Sequence, residues 1–279
     1  MRSLAGAAKG GVLLLAALLC ACQSHFSRLQ DLAGQHDRRA EVLSDTPLPL
    51  AFVGPGNTVA APRLRVYIEG DGRAWATPTQ PSSNPSPRHL LVAELAFSDP
   101  TPSLYLARPC QFIKGPRCGT ELWTSHRYSE TIVQNLDQAL NELKARYHNR
   151  EFELIGYSGG ATMALLLASR RADVTQVQTL AGNLSPRYWT QLKQLTPLTG
   201  SLEPLDQQHN LASVPQRHLV GEADTVVPTE VLDYYQSRLG AASCIETVKL
   251  PNVSHARGWQ QAWRQWRDRP LDCASHVTH

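Results

Sequence analysis

The run Phe152-Glu153-Leu154-Ile155-Gly156-Tyr157-Ser158-Gly159-Gly160-Ala161-Thr162-Met163 decides how this chain folds. FELIG (152–156) is an apolar segment of strand length, and GATMALLLASRR (160–171) is a longer run of small and apolar residues with the length of a helix. Between them, Gly156-x-Ser158-x-Gly160 makes a sharp turn from strand into helix. Glycines flank the serine where a Cβ would collide with the strand or the helix, and the hydroxyl is left at the C-terminal edge of the sheet. The spacing alone arises by chance with a probability on the order of 0.1 in a chain of this length. The strand before it and the helix after it therefore carry the weight of the reading.

Working outward, apolar runs and helical periods alternate. Strands are predicted at LRVYIE (64–69), LYLAR (104–108), VTQVQTLAG (174–182), RHLVG (217–221) and IETVKL (245–250). Helices are predicted at HLLVAELAFS (89–98), SETIVQNLDQALNELKARY (129–147), TEVLDYYQSRL (229–239) and GWQQAWRQWRD (258–268). Ile132, Leu136, Leu140 and Leu143 recur at helical spacing behind Ser129, a candidate cap. Trp259, Trp263 and Trp266 also share one helical face, where they are expected to pack. Strands alternating with helices, several of them apolar throughout, predict an α/β fold: one doubly wound, mostly parallel sheet flanked by helices. The segment 183–213 has no strong period and contains three prolines, so it reads as a short excursion between core elements.

A serine hydroxyl needs a base to become a nucleophile, and the base needs an acid to orient it. Asp224 lies in GEADTVVP (221–228), between a strand and a helix, and His255 lies in PNVSH (251–255), between the last strand and the last helix. Glu222 and Asp233 are weaker candidates for the acid. His218 falls within a strand, and His126 and His148 do not follow strands in the needed order. No H-E-x-x-H, zinc-type Cys/His spacing or G-x-G-x-x-G after a strand is present, so no metal or other cofactor is expected.

The order Ser158, Asp224, His255, with G-x-S-x-G at a strand-to-helix turn and GEADTVVP after a later strand, resembles the α/β hydrolases over roughly residues 64–268. Stretches such as YIEGDGRAW, LARPCQ and SPRYWTQLKQLTPLTGSLEP are also similar to a branch of exported bacterial hydrolase-like proteins. The resemblance places the excursion after the sixth strand. It implies a Ser158–His255–Asp224 triad, with the Gly159 N–H as one oxyanion donor. It puts the second donor in Glu69-Gly70-Asp71-Gly72, with Asp71 the best placed and Gly70 and Gly72 allowing close backbone approach. Acidic side chains aimed at an oxyanion would oppose catalysis, so those of Glu69 and Asp71 are expected to turn away and stabilise the loop.

The chain has 279 residues, with 42% hydrophobic and 18% charged residues, an ordinary globular composition for one sizeable domain. Arg2 and Lys9 precede a short apolar run (11–19), too short for a permanent span, which ends in Leu19-Cys20-Ala21-Cys22. This resembles a lipoprotein signal, with residues 1–21 removed and Cys22 lipidated. A tether with an edge strand at 50–53 would occupy 22–62, and the domain 63–279. The expected location is the cell envelope, at the outer membrane, with the membrane reached through the lipid anchor. Four cysteines remain, and proximity favours Cys110–Cys118 and Cys244–Cys273. The net charge is +3, and the basic residues are scattered among acids, so no nucleic-acid partner is expected. The implied activity is hydrolysis of a small-molecule or lipid ester, with thioester or amide possible. A peptidase, or a non-catalytic binding lipoprotein on the same scaffold, is the alternative.

Overall fold

A computed structural model describes residues 24–43, 45–55, 61–240, 244–271 and 273. Cys22 and the signal segment lie outside the described residues. In chain order the elements are α1 (His25–Gly34), β1 (Ala40–Leu43), β2 (Leu50–Val53), β3 (Arg63–Ile68), α2 (Leu91–Phe97), β4 (Ser103–Leu106), α3 (Glu130–Tyr147), β5 (Glu151–Tyr157) and α4 (Gly159–Ala168). There follow β6 (Val174–Leu180), α5 (Pro186–Leu192), α6 (Gln208–Leu211), β7 (Gln216–Gly221), α7 (Glu230–Leu239), β8 (Ile245–Leu250) and α8 (Trp259–Trp266).

The eight strands form one sheet in the order β1-β2-β4-β3-β5-β6-β7-β8. Pairs from β4 to β8 are parallel, while β1–β2 and β2–β4 are antiparallel. β5 sits centrally, with its five interior residues buried. A parallel strand with both faces covered has no polar face to present, which is why FELIG reads as a continuous apolar run. α4 is buried along its whole length, so its sequence lacks an amphipathic period. α3 keeps a polar outer face and buries Ile132, Leu136, Leu140 and Leu143. Ser129 occupies the N-cap position of α3, but its hydroxyl makes no capping bond. On α8, Trp259 and Trp263 are fully buried, and Trp266 packs beside them.

The reading of 22–62 as a tether needs correction. Its described part supplies α1, β1 and β2, and β2 is an interior strand between β1 and β4. α1 buries only Leu29 and Ala33, one turn apart, which is too sparse an apolar signal to stand out in a polar stretch. Arg28 of α1 donates from Nη2 to the Arg88 carbonyl (2.8 Å), tying this helix to the loop after β3. The excursion 183–213 contains α5, a 3-10 turn at Pro204–Gln207, and α6. Both expected disulfides, Cys110–Cys118 and Cys244–Cys273, are present.

At the N-terminal ends of the strands, a buried ionic layer joins the sheet to α8. Arg65 on β3 bonds Glu153 (3.0 Å), Asp99 (3.1 Å) and Asp268 (2.7 Å). Tyr67 donates to Asp99 and accepts from the Trp263 indole. Each charge here has several partners, as burial of charge requires. The opposite, C-terminal ends of the strands are left to build a site.

Candidate active site

Ser158 stands at the junction of β5 and α4 with φ 53° and ψ −121°, a conformation that costs on the order of 1–3 kcal/mol in a residue with a side chain. The surrounding backbone holds it there. Its N–H donates to the Leu180 carbonyl (2.9 Å), and its carbonyl accepts from Ala161 (3.1 Å) and Asn183 (3.0 Å). The flanking glycines are required by space. A Cβ on Gly156 would lie 2.5 Å from Ala161 Cα, and one on Gly160 would lie 2.3 Å from the Ile68 carbonyl oxygen.

Asp224 follows β7 and is buried. Its Oδ1 accepts from the N–H groups of Val226 (2.8 Å) and Val227 (2.9 Å), and its Oδ2 bonds His255 Nδ1 (2.8 Å). One oxygen therefore fixes the carboxylate to its own loop and the other orients the imidazole. α7 begins later, behind Thr229, so Asp224 does not cap it. His255 follows β8 in a loop locked by its backbone. The Tyr157 hydroxyl donates to the His255 carbonyl (2.7 Å), as does the Trp259 indole N–H (2.9 Å), and the Tyr157 ring lies 5.3 Å from the imidazole. The two loops are joined where the Ala223 N–H donates to the Val253 carbonyl (3.0 Å).

Ser158 and His255 line one open cavity of about 700 Å³ that also includes Trp75, Trp189 and Val226. The structure thus brings together Ser158, His255 and Asp224. A direct hydrogen bond links only the last two; among the described residues none joins Ser158 Oγ to His255. In unliganded active sites such a bond is often long and tightens when substrate arrives. The rival acids lie elsewhere: Glu222 is exposed, and Asp233 pairs with Lys249. His218 is buried on β7 between Thr179 and Gln216, and burial lowers its pKa to about 3.

The loop after β3 departs from expectation in part. The Gly70 N–H donates to Glu69 Oε1 (2.9 Å), so it is already occupied. The missing Cβ of Gly70 instead allows contact with Tyr157 and Ser158, which an added methyl would approach to 3.2 and 3.3 Å. Gly72 has φ 61° and sits so close to Pro85 that a Cβ would lie 2.1 Å from its carbonyl oxygen. Both glycines therefore shape the loop. The Asp71 amide, on the cavity wall, and the Gly159 amide, at the start of α4, have no acceptor among the described residues.

The two acidic side chains are turned into the protein. Glu69 is buried and accepts from Tyr105 (2.9 Å) as well as Gly70; burial outweighs these bonds and raises its pKa to about 7. Asp71 accepts from Arg108 Nη1 (3.2 Å), Arg127 Nη1 (2.8 Å) and the Tyr128 hydroxyl (2.7 Å). Burial alone would raise the Asp71 pKa, but the two guanidinium groups prevail and hold it below the ordinary value. This carboxylate lies against Gly159, where a Cβ would come within 2.1 Å of Oδ1. Arg108, Arg127 and Tyr128 were not apparent as site residues. They approach Asp71 from 37 to 57 residues away, and no local pattern announces that contact. Among the described residues, no group of three or more His, Cys, Asp or Glu could hold a metal ion.

No family model and no curated sequence matches the chain. Solved structures do resemble it. The esterase Pf2001 of Pyrococcus furiosus superposes with a TM-score of 0.60 at 13% identity, over 84% of this chain and 91% of that one. This is the α/β-hydrolase fold. An alpha-beta serine hydrolase homologue from Coxiella burnetii matches with a TM-score of 0.56 at 14% identity, over 81% and 94% of the two chains. Est1E from Butyrivibrio proteoclasticus matches with a TM-score of 0.56 at 13% identity, over 81% and 94%. Against that fold, Ser158 occupies the turn after a central strand, while Asp224 and His255 follow the last two strands of the sheet.

Proposed function

We propose that this chain is an exported serine hydrolase that cleaves an ester of a small molecule or lipid through an acyl-enzyme on Ser158. The observation that carries the proposal is the 2.8 Å bond between Asp224 and His255, formed beside a serine held at positive φ in the same cavity. The names of the esterases and hydrolases that share the fold agree with it.

In this reading Ser158 Oγ attacks the acyl carbon while His255 Nε2 takes its proton, and Asp224 keeps Nδ1–H oriented and stabilises the imidazolium that forms. The carbonyl oxygen becomes an oxyanion facing the N–H groups of Gly159 and Asp71. His255 returns the proton to the departing alcohol, then draws one from the water that attacks the acyl carbon, and gives it to Ser158 Oγ as the Oγ–acyl bond breaks and the carboxylic acid leaves. Glu69 and Asp71 do not oppose the oxyanion because each side chain is bound to donors of its own.

Fluorophosphonate labelling of wild type, Ser158→Ala and His255→Ala tests the assignment. Labelling of wild type alone is expected. A folded wild type that does not label would sink the catalytic reading and favour a binding protein on this scaffold. Model esters, thioesters and short-peptide amides then separate esterase from peptidase.

We further propose that Cys22 is lipidated and that the domain resides in the cell envelope. The two disulfides favour an oxidising compartment. Cys22→Ala is expected to move the protein from the membrane to the soluble fraction, and unchanged fractionation would refute the anchor.

A further inference from the structure

The wall of the catalytic cavity carries four arginines, Arg73, Arg88, Arg127 and Arg257, and two carboxyl groups, Glu69 and Asp71. The acids do not offset the cations there. Asp71 is held by Arg127 and Arg108, and Glu69 faces Tyr105 and Gly70, with burial favouring its neutral form. Arg127 is committed to Asp71 and to the Thr124 carbonyl. The guanidinium groups of Arg73, Arg88 and Arg257 have no acidic partner among the described residues. Arg88 and Arg257 contribute only their backbone carbonyls to the hydrogen bonds described, and their side chains are exposed.

Arg73 and Arg88 come from opposite ends of the connection between β3 and α2, and Arg257 from the loop that carries His255 two residues earlier. Their shared feature is the cavity. A concave site lined by one sign of charge focuses its field and draws oppositely charged ligands. Guanidinium groups match carboxylate and phosphate oxygens in geometry as well as charge. Between the cations lie Trp75, which is 41% exposed, Trp189 and Leu91, which offer apolar surface to the remainder of a ligand. A volume of about 700 Å³ suits a small molecule.

We propose that the substrate is an anionic ester, bearing a carboxylate or phosphate that Arg73, Arg88 and Arg257 hold at the cavity wall while Ser158 meets the acyl carbon. This specificity rests on the serine-hydrolase reading above.

Full-length protein in neutral detergent is assayed on matched ester pairs that differ only in charge. On the acyl side, the pair is the mono-4-nitrophenyl ester of adipic acid and its methyl-capped form. On the alcohol side, 4-acetoxybenzoate is compared with its methyl ester and 4-acetoxyphenyl phosphate with its neutral dimethyl ester. For at least one pair kcat/KM is expected to favour the anion by about 10-fold at low salt, since three partly screened charge contacts act together. The preference should shrink at about 0.5 M salt. In the triple variant Arg73→Gln, Arg88→Gln, Arg257→Gln the ratio should fall to about 1. The pair that responds identifies the anion and its side of the ester.

A ratio near or below 1 in every pair, or a preference unchanged in the triple variant, overturns the proposal. Failure of the underlying hydrolase reading is visible separately, as absence of fluorophosphonate labelling with no ester cleaved. In that case calorimetry with monomethyl adipate and phenyl phosphate decides. Binding lost in the triple variant upholds the anion site, and no binding to wild type ends it.

Discussion

Replacing Glu69 by Gln offers a quantitative test of the loop beneath the candidate oxyanion site. The carboxyl is buried; its pKa rises from the ordinary 4.5 to about 7, chiefly because burial disfavours charge, with the Tyr105 and Gly70 bonds and Arg108 pulling the other way. Between those values the folded protein holds a proton that the unfolded chain has released. Stability contributed by Glu69 is therefore present below about pH 4.5, falls as pH rises through 7, and is flat above. Each tenfold change in proton affinity is worth about 1.4 kcal/mol, so ionisation in place costs about 3 kcal/mol in full. The Gln side chain fits the same partners, accepting from the Gly70 N–H and donating to the Tyr105 oxygen. Relative to wild type, Glu69→Gln should gain about 2–3 kcal/mol between pH 5 and pH 8.5. Urea unfolding followed by tryptophan fluorescence, with disulfides intact, measures this at several pH values. Subtracting the two proteins cancels every other titrating group. A difference that stays constant with pH would mean that Glu69 has the same proton affinity folded and unfolded, and the argument from burial would fail.

Three other perturbations address the site and its frame. Asp224→Asn should keep the loop bonds to Val226 and Val227 but lose the charge behind His255, lowering kcat on the order of 10³–10⁴-fold with KM little changed; a loss under tenfold on an ester substrate would remove Asp224 from the triad. Gly159→Ala should place a methyl 2.1 Å from Asp71 Oδ1, so the contact between α4 and the loop after β3 must open. Its activity should fall at least about 10²-fold, as when an oxyanion donor is lost, and unimpaired turnover would refute the close approach. Arg65→Met should leave Asp99 and Glu153 buried without their cation and destabilise the fold by about 3–5 kcal/mol, read from the urea midpoint. A change below about 1 kcal/mol would show the layer to be solvated.

The sheet was legible because its central strands are continuous apolar runs divided by glycine-rich turns. Ser158 was legible because its turn tolerates only glycine at 156 and 160, a constraint of space that leaves a local mark. Asp224 and His255 were found as loop residues after late strands, since chain order in a parallel sheet fixes which loops converge. The anchoring of Asp71 was not legible. Its partners are brought to it by the packing of the segment between β4 and α3, and each looks in sequence like an ordinary polar residue. The occupation of the Gly70 N–H by its own neighbour was equally hidden, because it depends on a side-chain rotamer. α1 and β1 escaped notice because each is short and buries only two residues deeply, too few for an apolar period to stand out.

The early folding of the chain also sets a distance. α1 starts at His25 with Ser24 as its cap, so only Gln23 separates that cap from Cys22. Two peptide steps reach at most about 7 Å. One turn into α1, Arg28 is bonded to the carbonyl of Arg88 on the cavity wall. With Cys22 lipidated as proposed, the domain would not swing from the bilayer on a leash. It would ride close to the headgroups like a moored boat, with the cavity wall at Arg88 fastened to the same helix that begins at the mooring.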